Sequence, residues 1–278
     1  MRLAVLGSGS AGNSLIVESG NRRLLVDAGF SCLQLQKRLA SLGTDIARLD
    51  ALLLTHEHQD HLRGADVLLR RYSLPVYATQ GTLDASGLSA EAITEARAIR
   101  SGKPFEVPES PVFWVEAFGI PHDANEPVGF VIEDLEGCRL GVVTDMGSRS
   151  QLAWGRLQEL DCLVIETNHD LQMLRTGPYP WHLKQRVAGR HGHLSNREAA
   201  EGVAELMCER LSWVVLYHLS RTNNLPALAA QAMGECLDRV GSDAQIVITQ
   251  QDEPTPWLEV RRGQTPLAHC VGQQGTLF

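Results

Sequence analysis

An apolar run, Ala51-Leu52-Leu53-Leu54, leads without a break into Thr55-His56-Glu57-His58-Gln59-Asp60-His61. A buried strand that ends on three imidazoles and a carboxylate needs a fold that gathers compensating groups around its end, because polar side chains are seldom buried without partners. Neutral imidazole nitrogen and carboxylate oxygen are the donors that a zinc-like or manganese-like ion prefers. Positions two apart in an extended chain face the same way, so His-x-His-x-Asp-His can serve two adjacent metals.

At 278 residues the chain can bury a substantial core, as one large domain or two small ones. With 44% hydrophobic and 21% charged residues it is an ordinary globular sequence, neither disordered nor fibrous. The apolar stretch Leu3–Leu6 is too short for a signal-peptide core, and no later segment is long enough to span a bilayer. A cytoplasmic location without a membrane partner is the expectation. Cys32, Cys138, Cys162, Cys208, Cys236 and Cys270 are dispersed, with no Cys-x-x-Cys, and are expected as free and mostly buried thiols.

The formal charge of −8 argues against indiscriminate binding to nucleic acid. Its distribution is uneven. From Leu171 to Arg197 there is no Asp or Glu, whereas Arg175, Lys184, Arg186, Arg190 and Arg197 are basic. This run is either a solvated face balanced by acidic neighbours in space or a landing strip for an anionic substrate.

Short aliphatic and β-branched runs predict strands at Leu3–Leu6, Leu15–Glu18, Leu24–Asp27, Leu52–Thr55 and Pro75–Ala78. A second series covers Val112–Phe118, Gly129–Glu133, Leu140–Thr144, Cys162–Glu166, Trp213–Tyr217, Ile246–Thr249 and Trp257–Val260. Helical stripes lie between them at Leu35/Leu39/Leu42, at Leu62/Ala65/Leu69/Tyr72 and at Ala229/Met233/Cys236/Val240. Ser195-Asn196-Arg197-Glu198 fits a capping box that opens a helix. Strands interleaved with helices predict a layered α/β domain, and the two strand series suggest two packed sheets with helices outside.

A two-metal site takes six or seven ligands, usually from several strand-end loops. Besides His56, His58, Asp60 and His61, the chain offers His122 shortly after one strand, Asp145 directly after Leu140–Thr144, and His218 directly after Trp213–Tyr217. Strand ends are where α/β proteins place ligands.

The series His-x-His-x-Asp-His, lone His, Asp after a strand and strand-terminal His resembles the metallo-β-lactamase superfamily, over Leu3 to about Leu225. The resemblance implies an αββα sandwich, two mixed β-sheets flanked by helices, with residues 1–278 as a single hydrolase domain. It implies His56, His58 and His122 on one metal, Asp60, His61 and His218 on a second, and Asp145 bridging. Cys at the bridging position would favour β-lactam-cleaving enzymes; here it is Asp. The opening Leu6-Gly7-Ser8-Gly9-Ser10-Ala11-Gly12-Asn13-Ser14 is similar to YycJ/WalJ-type proteins, as are Glu166-Thr167-Asn168-His169-Asp170, Gly192-His193-Leu194-Ser195-Asn196 and His218-Leu219-Ser220-Arg221-Thr222-Asn223-Asn224. The same regions resemble ribonuclease Z, although the long Gly/Pro-rich arm for tRNA is not evident. Nor does the interval from Asp145 to His218 leave room for the inserted domain of β-CASP nucleases.

That kinship implies phosphodiester chemistry, with DNA favoured over RNA as partner. Two divalent ions, Zn²⁺ or Mn²⁺, roughly 3.5–4 Å apart would supply a bridging hydroxide as nucleophile at neutral pH. Asp60 is able to orient that water as well as ligate. His193 is the candidate acid for the leaving oxygen, and Glu166 the group that orients it. Asp27 is a candidate partner for a ligand His. Ser8, Ser10, Asn13, Asn168, Lys184, Arg186, Asn223 and Asn224 are candidate substrate contacts, while Glu57, His182, His191 and His269 are surface or structural. No stacking aromatic stands out, and the oligomeric state is open. The alternative substrate is a small phosphodiester or, as in glyoxalase-II-like relatives, a thioester. A binding protein with a structural metal is a third reading, disfavoured because structural zinc prefers four closed ligands.

Overall fold

A computed structural model of the chain describes residues 1–107 and 113–263. Val112, His269 and Cys270 lie outside the described residues. Near-continuous burial along most strands builds two sheets that are each covered on both faces. The first contains β1 (Arg2–Gly7), β2 (Ser14–Ser19), β3 (Arg22–Val26), β4 (Ala51–Leu53), β5 (Val76–Thr79) and β6 (Ala96–Ile99). The second contains β7 (Pro104–Val107), β8 (Phe113–Gly119), β9 (Val128–Asp134), β10 (Arg139–Val143), β11 (Cys162–Glu166), β12 (Trp213–Tyr217) and β13 (Gln245–Ile248). A short β14 (Leu258–Glu259) returns to the outer edge of β1, so the orders are β14-β1-β2-β3-β4-β5-β6 and β13-β12-β11-β10-β9-β8-β7.

Period-two alternation divides the apolar residues into three cores. Leu3, Val5, Leu15, Val17, Leu24, Val215 and Tyr217 turn inward and fill the space between the sheets. Ala4, Leu6, Ile16 and Leu25 turn outward, against the helices Cys32–Ser41 and Ala65–Tyr72. On the opposite flank Val214 and Leu216 pack against Asn196–Leu206 and Pro226–Arg239. The result is the expected four-layer αββα sandwich. The expected capping box is present: Ser195 Oγ accepts from the Glu198 N–H at 3.2 Å, and the Glu198 carboxylate accepts from the Ser195 N–H at 2.9 Å.

Strand direction fixes where the site forms. β1 and β3 are both antiparallel to β2, and β4, β5 and β6 continue parallel to β3. In the second sheet β8 and β10 are both antiparallel to β9, and β11, β12 and β13 run parallel to β10. The loops after β1, β3 and β4 therefore share one edge, and those after β8, β10, β11 and β12 share another. Every expected ligand lies on one of these loops.

Two strands, β6 and β7, have no counterpart among the predicted runs. Both are four-residue edge strands with mostly exposed side chains, and β7 begins at Pro104, as an edge strand can. The predicted strand Trp257–Val260 narrows to Leu258–Glu259. No helix of the described residues is long and apolar enough to cross a membrane.

Two close backbone approaches bring the His-rich loop against the end of β3. A Cβ on Gly29 would lie 1.7 Å from the Asp60 carbonyl oxygen, and one on Gly64 would lie 1.9 Å from that of Phe30. Gly29→Ala is expected to cost about 1–3 kcal/mol in urea unfolding, as forced overpacking does. Gly155→Ala, on a short helix with nothing within 4 Å of the added carbon, serves as the control and should be neutral or stabilising. Equal destabilisation by both would show that the close approach is not what matters.

Candidate active site

Asp145 stands at the centre of the site. It follows β10 and is 1% exposed, and its Oδ2 lies 3.4 Å from His56 Nε2, 3.1 Å from His61 Nε2 and 3.7 Å from His122 Nε2. Its Oδ1 is in close contact with His218 Nδ1. Asp60 Oδ2 lies 3.5 Å from His61 Nε2 and 3.4 Å from His218 Nε2. Ligand atoms of His56, His58, His122 and Asp145 all fall within 4.8 Å of one another, as do those of Asp60, His61, Asp145 and His218. A third group of the same kind joins Asp145 and His218 to Glu166 and His193.

Three of the imidazoles are steered from behind. His61 Nδ1 lies 2.7 Å from Asp27 Oδ2, His56 Nδ1 2.9 Å from Thr55 Oγ1, and His122 Nδ1 3.0 Å from the Gly192 carbonyl. Asp27 also accepts from the Thr55 N–H and hydroxyl, each at 2.8 Å. With Nδ1 occupied, the Nε2 atoms of these three rings face Asp145, an arrangement that fixes ring orientation before any ion arrives. Asp27 and His218 both adopt positive φ, 59° and 54°. Such backbone strain in non-glycine residues collects at functional sites. At His218 the turn lets the N–H donate to Ser8 Oγ at 2.6 Å and the carbonyl accept from Asn168 Nδ2 at 3.0 Å, which aims the ring at Asp145.

The residues suit divalent cations. His56 Nε2, Asp145 Oδ1 and His218 Nδ1 are buried without a well-formed hydrogen bond among the described residues. Burial works against charge on His61 and His218, yet Asp145, with Asp60 and other neighbouring carboxylates, holds both far above the ordinary histidine value. Burial also pushes Asp145 and Asp60 up, and the imidazoles His61 and His218 override it, so both carboxyls sit below their ordinary range. The field between these carboxylates therefore favours positive charge. His56 and His122 behave oppositely. Burial, reinforced by a neighbouring imidazole, lowers His56, and it lowers His122 to about 4 against the opposing Asp145, so both rings are neutral donors. Nitrogen and oxygen donors in this mixture fit borderline divalent metals.

A cleft of about 280 Å³ opens beside the cluster, its walls including Ser10, His58, Asp60, Asn168, Arg186 and His193. His193 Nδ1 lies 2.6 Å from Glu166 Oε1, and Glu166 is fully buried, also accepting from the Met146 and Leu194 N–H groups at 2.9 and 3.1 Å. Burial opposes charge on His193, and the Glu166 carboxylate outweighs it, keeping the ring above its ordinary value.

The predicted substrate contacts divide into two sets. Ser10, Asn168 and Arg186 line the cleft. Ser8, Asn13, Asn223 and Asn224 are buried beneath it and hold the scaffold instead. Asn13 Nδ2 donates to Asp60 Oδ2 at 3.1 Å and its Oδ1 accepts from the Gly9 N–H at 2.9 Å, while Asn224 Nδ2 donates to the Thr167 carbonyl at 2.8 Å and joins Asn196. Lys184 donates to the Arg175 carbonyl at 2.8 Å. The acid-free run is partly neutralised through space, by Arg186 on Asp123 and Arg197 on Glu201. Glu57, which accepts from the Asn125 N–H, and the exposed His182 and His191 have the surface or structural places expected of them. Tyr179, Leu183 and the Gly192 carbonyl were not anticipated.

A model of the β-lactamase superfamily domain matches residues 22–218. The chain is 35% identical over 271 residues to exodeoxyribonuclease WalJ of Streptococcus pneumoniae, covering 93% of this chain and 98% of that protein. It is 36% identical over 245 residues to exodeoxyribonuclease YycJ of Bacillus anthracis, covering 87% and 90%. Among solved structures, the metallo-β-lactamase fold protein YhfI from Bacillus subtilis superposes with a TM-score of 0.68 at 19% identity, over 91% of this chain and 98% of that one.

The Asp27–His61 contact generates a test. Asn tolerates positive φ, so Asp27→Asn preserves the backbone while removing the charge behind His61. A 10–100-fold weaker affinity for divalent metal is expected by calorimetric titration, with a loss of about 1–3 kcal/mol in the metal-free protein because one amide oxygen cannot accept every bond that the two carboxylate oxygens take. Wild-type metal affinity in the variant would remove Asp27 from the site.

Proposed function

The chain belongs to the β-lactamase superfamily in its metallo-β-lactamase fold, and from that premise we infer a metal-dependent phosphodiesterase of the exodeoxyribonuclease kind. The Glu166–His193 pair, opening on the same cleft as the His/Asp cluster, is the observation that carries this reading. The two extensive relatives named as exodeoxyribonucleases support DNA as the substrate. His56, His58 and His122 would hold one ion and Asp60, His61 and His218 the other, with Asp145 within reach of both, and this mixture of nitrogen and oxygen donors suits zinc or manganese. Residues 1–278 act as one hydrolase domain, a reading supported by β14 returning to β1. Buried free thiols at Cys32, Cys138, Cys162 and Cys236 support a reducing, cytoplasmic setting.

Bound at these residues, two divalent ions would supply hydroxide at neutral pH and neutralise charge on the phosphate. The protein's own groups do the rest. Asp60, 21% exposed at its side chain and facing the cleft, orients the attacking water. Glu166 holds Nδ1 of His193, which leaves Nε2 to donate a proton to the departing sugar oxygen as the P–O bond breaks. Arg186, beside the cleft and paired with Asp123 at 2.6 Å, meets the flanking phosphate.

Metal-loaded protein is expected to degrade labelled DNA, and Asp60→Ala to abolish most of that rate. An alkoxide is a poor leaving group, so His193→Ala should lower kcat by roughly 10²–10⁴-fold. A thiolate needs no such proton, so a silent His193→Ala with intact thioester hydrolysis would favour the glyoxalase-II-like alternative. Wild-type protein that is fully metal-loaded and cuts neither DNA nor RNA would overturn the nuclease reading.

A further inference from the structure

The cleft is lined by two unlike kinds of residue. Its lining includes the His/Asp cluster and His193, and also Tyr179, Leu183, Val187 and Arg186, with the His193 N–H donating to the Val187 carbonyl at 2.8 Å. Charge chemistry accounts for the cluster, His193 and Arg186, but not for a tyrosine ring and two aliphatic side chains. Val187 is buried at the end of its helix, whereas Tyr179 and Leu183 are half-buried and belong to none of the apolar cores described above. The aromatic contacts of the described residues are those within the histidine cluster and the Tyr77–Phe105 stack, which leaves the Tyr179 ring without an aromatic partner.

The segment presenting this ring is held rigidly. Tyr179 sits between Pro178 and Pro180, and a residue before proline is confined to extended backbone. The Gly177 N–H donates to the Met173 carbonyl at 2.7 Å, and a Cβ on Gly177 would lie 2.5 Å from that oxygen and 2.7 Å from Asn223 Oδ1. The Pro180 carbonyl accepts from the N–H groups of Leu183 and Lys184 at 3.0 and 3.1 Å, starting the helix Trp181–Val187. A flat ring fixed in place loses little entropy when something packs on it.

At about 280 Å³ the cleft is at the small end of ligand pockets, which run roughly 300–1,000 Å³. It has room for about one nucleotide beside the cluster. A π-face next to a guanidinium is the pairing by which single strands are gripped without sequence readout.

Taking the nuclease reading as its basis, we propose that Tyr179, backed by Leu183, is the stacking face for the base of the terminal nucleotide whose phosphodiester enters the His/Asp cluster. The substrate is then a DNA strand end with its last base taken out of the helical stack, and Tyr179 replaces the lost neighbour.

The test is a double-mutant cycle between the ring and the base. Digestion of a single-stranded DNA oligonucleotide in Mn²⁺ is compared with that of one made abasic at the nucleotide where digestion starts, using wild type, Tyr179→Ala and Tyr179→Phe. Removing either the ring or the base should lower kcat/KM by roughly 5- to 150-fold, the range for one stacked base. Removing both should cost little more than removing one, and Tyr179→Phe should stay near wild type. Strictly multiplicative losses, or a Phe variant as poor as Ala, would overturn the proposal. A wild type indifferent to the abasic end would overturn it even if Tyr179→Ala failed to fold. Wild type that leaves both oligonucleotides intact while metal-loaded would sink the nuclease reading and this proposal with it.

Discussion

A carboxylate taken out of water is costly unless opposite charge or hydrogen-bond donors surround it, and Asp145 is almost fully buried where the two sheets meet. No single loop satisfies it. His56 and His61 come from the loop after β4, His122 from beyond β8, and His218 from the end of β12. Those imidazoles are themselves buried, and three of them take a carboxylate, a hydroxyl or a carbonyl behind the ring, which brings in Asp27, Thr55 and Gly192. The tight glycine at 29 follows from the same demand, since it lets the Asp60 backbone press against the end of β3. Much of the local architecture at this edge is thus compensation for one charge.

How much of this was legible in the sequence depends on how local each signal is. The His-rich loop, the strand-end Asp145 and the strand-end His218 stand next to strong apolar runs, so their placement could be read from neighbours in the chain. The Glu166–His193 pairing and the partnership of Asp27 with a ligand histidine were also legible, because each follows a strand or precedes a capped helix. Ser8, Asn13, Asn223 and Asn224 lie in polar, glycine- or asparagine-rich loops that look the same whether they face substrate or hold scaffold. Only depth separates the two roles, and depth is a property of the packed sheets: Asn13 is fully buried and bonded to Asp60, whereas Ser10, three residues earlier, faces the cleft. Tyr179 was illegible for a related reason. It belongs to a Pro-flanked turn with no periodicity, and only the fold brings it to the cleft that His193, 14 residues away in sequence, also lines. The edge strands β6 and β7 escaped because each buries too few apolar residues to make a run, Ile99 in β6 and Val107 with the half-buried Phe105 in β7.

Asp27 and Glu166 show one device put to two uses. Each is a buried carboxylate at or just beyond the end of a strand, and each lies 2.6–2.7 Å from Nδ1 of a histidine brought up by a separate loop. Each thereby orients a ring and favours its charged form. The outcome differs because of what the far side of the ring meets. His61 is fully buried, with Nε2 directed at Asp145 and Asp60, so its free nitrogen is confined to the cluster. His193 keeps 22% of its side chain exposed and lines the cleft, so its free nitrogen can reach a leaving oxygen and exchange its proton with solvent afterwards. A ligand needs its free nitrogen aimed into the cluster, and an acid needs one that reaches substrate and solvent. Depth within one edge of the sandwich supplies both from the same pair of residue types.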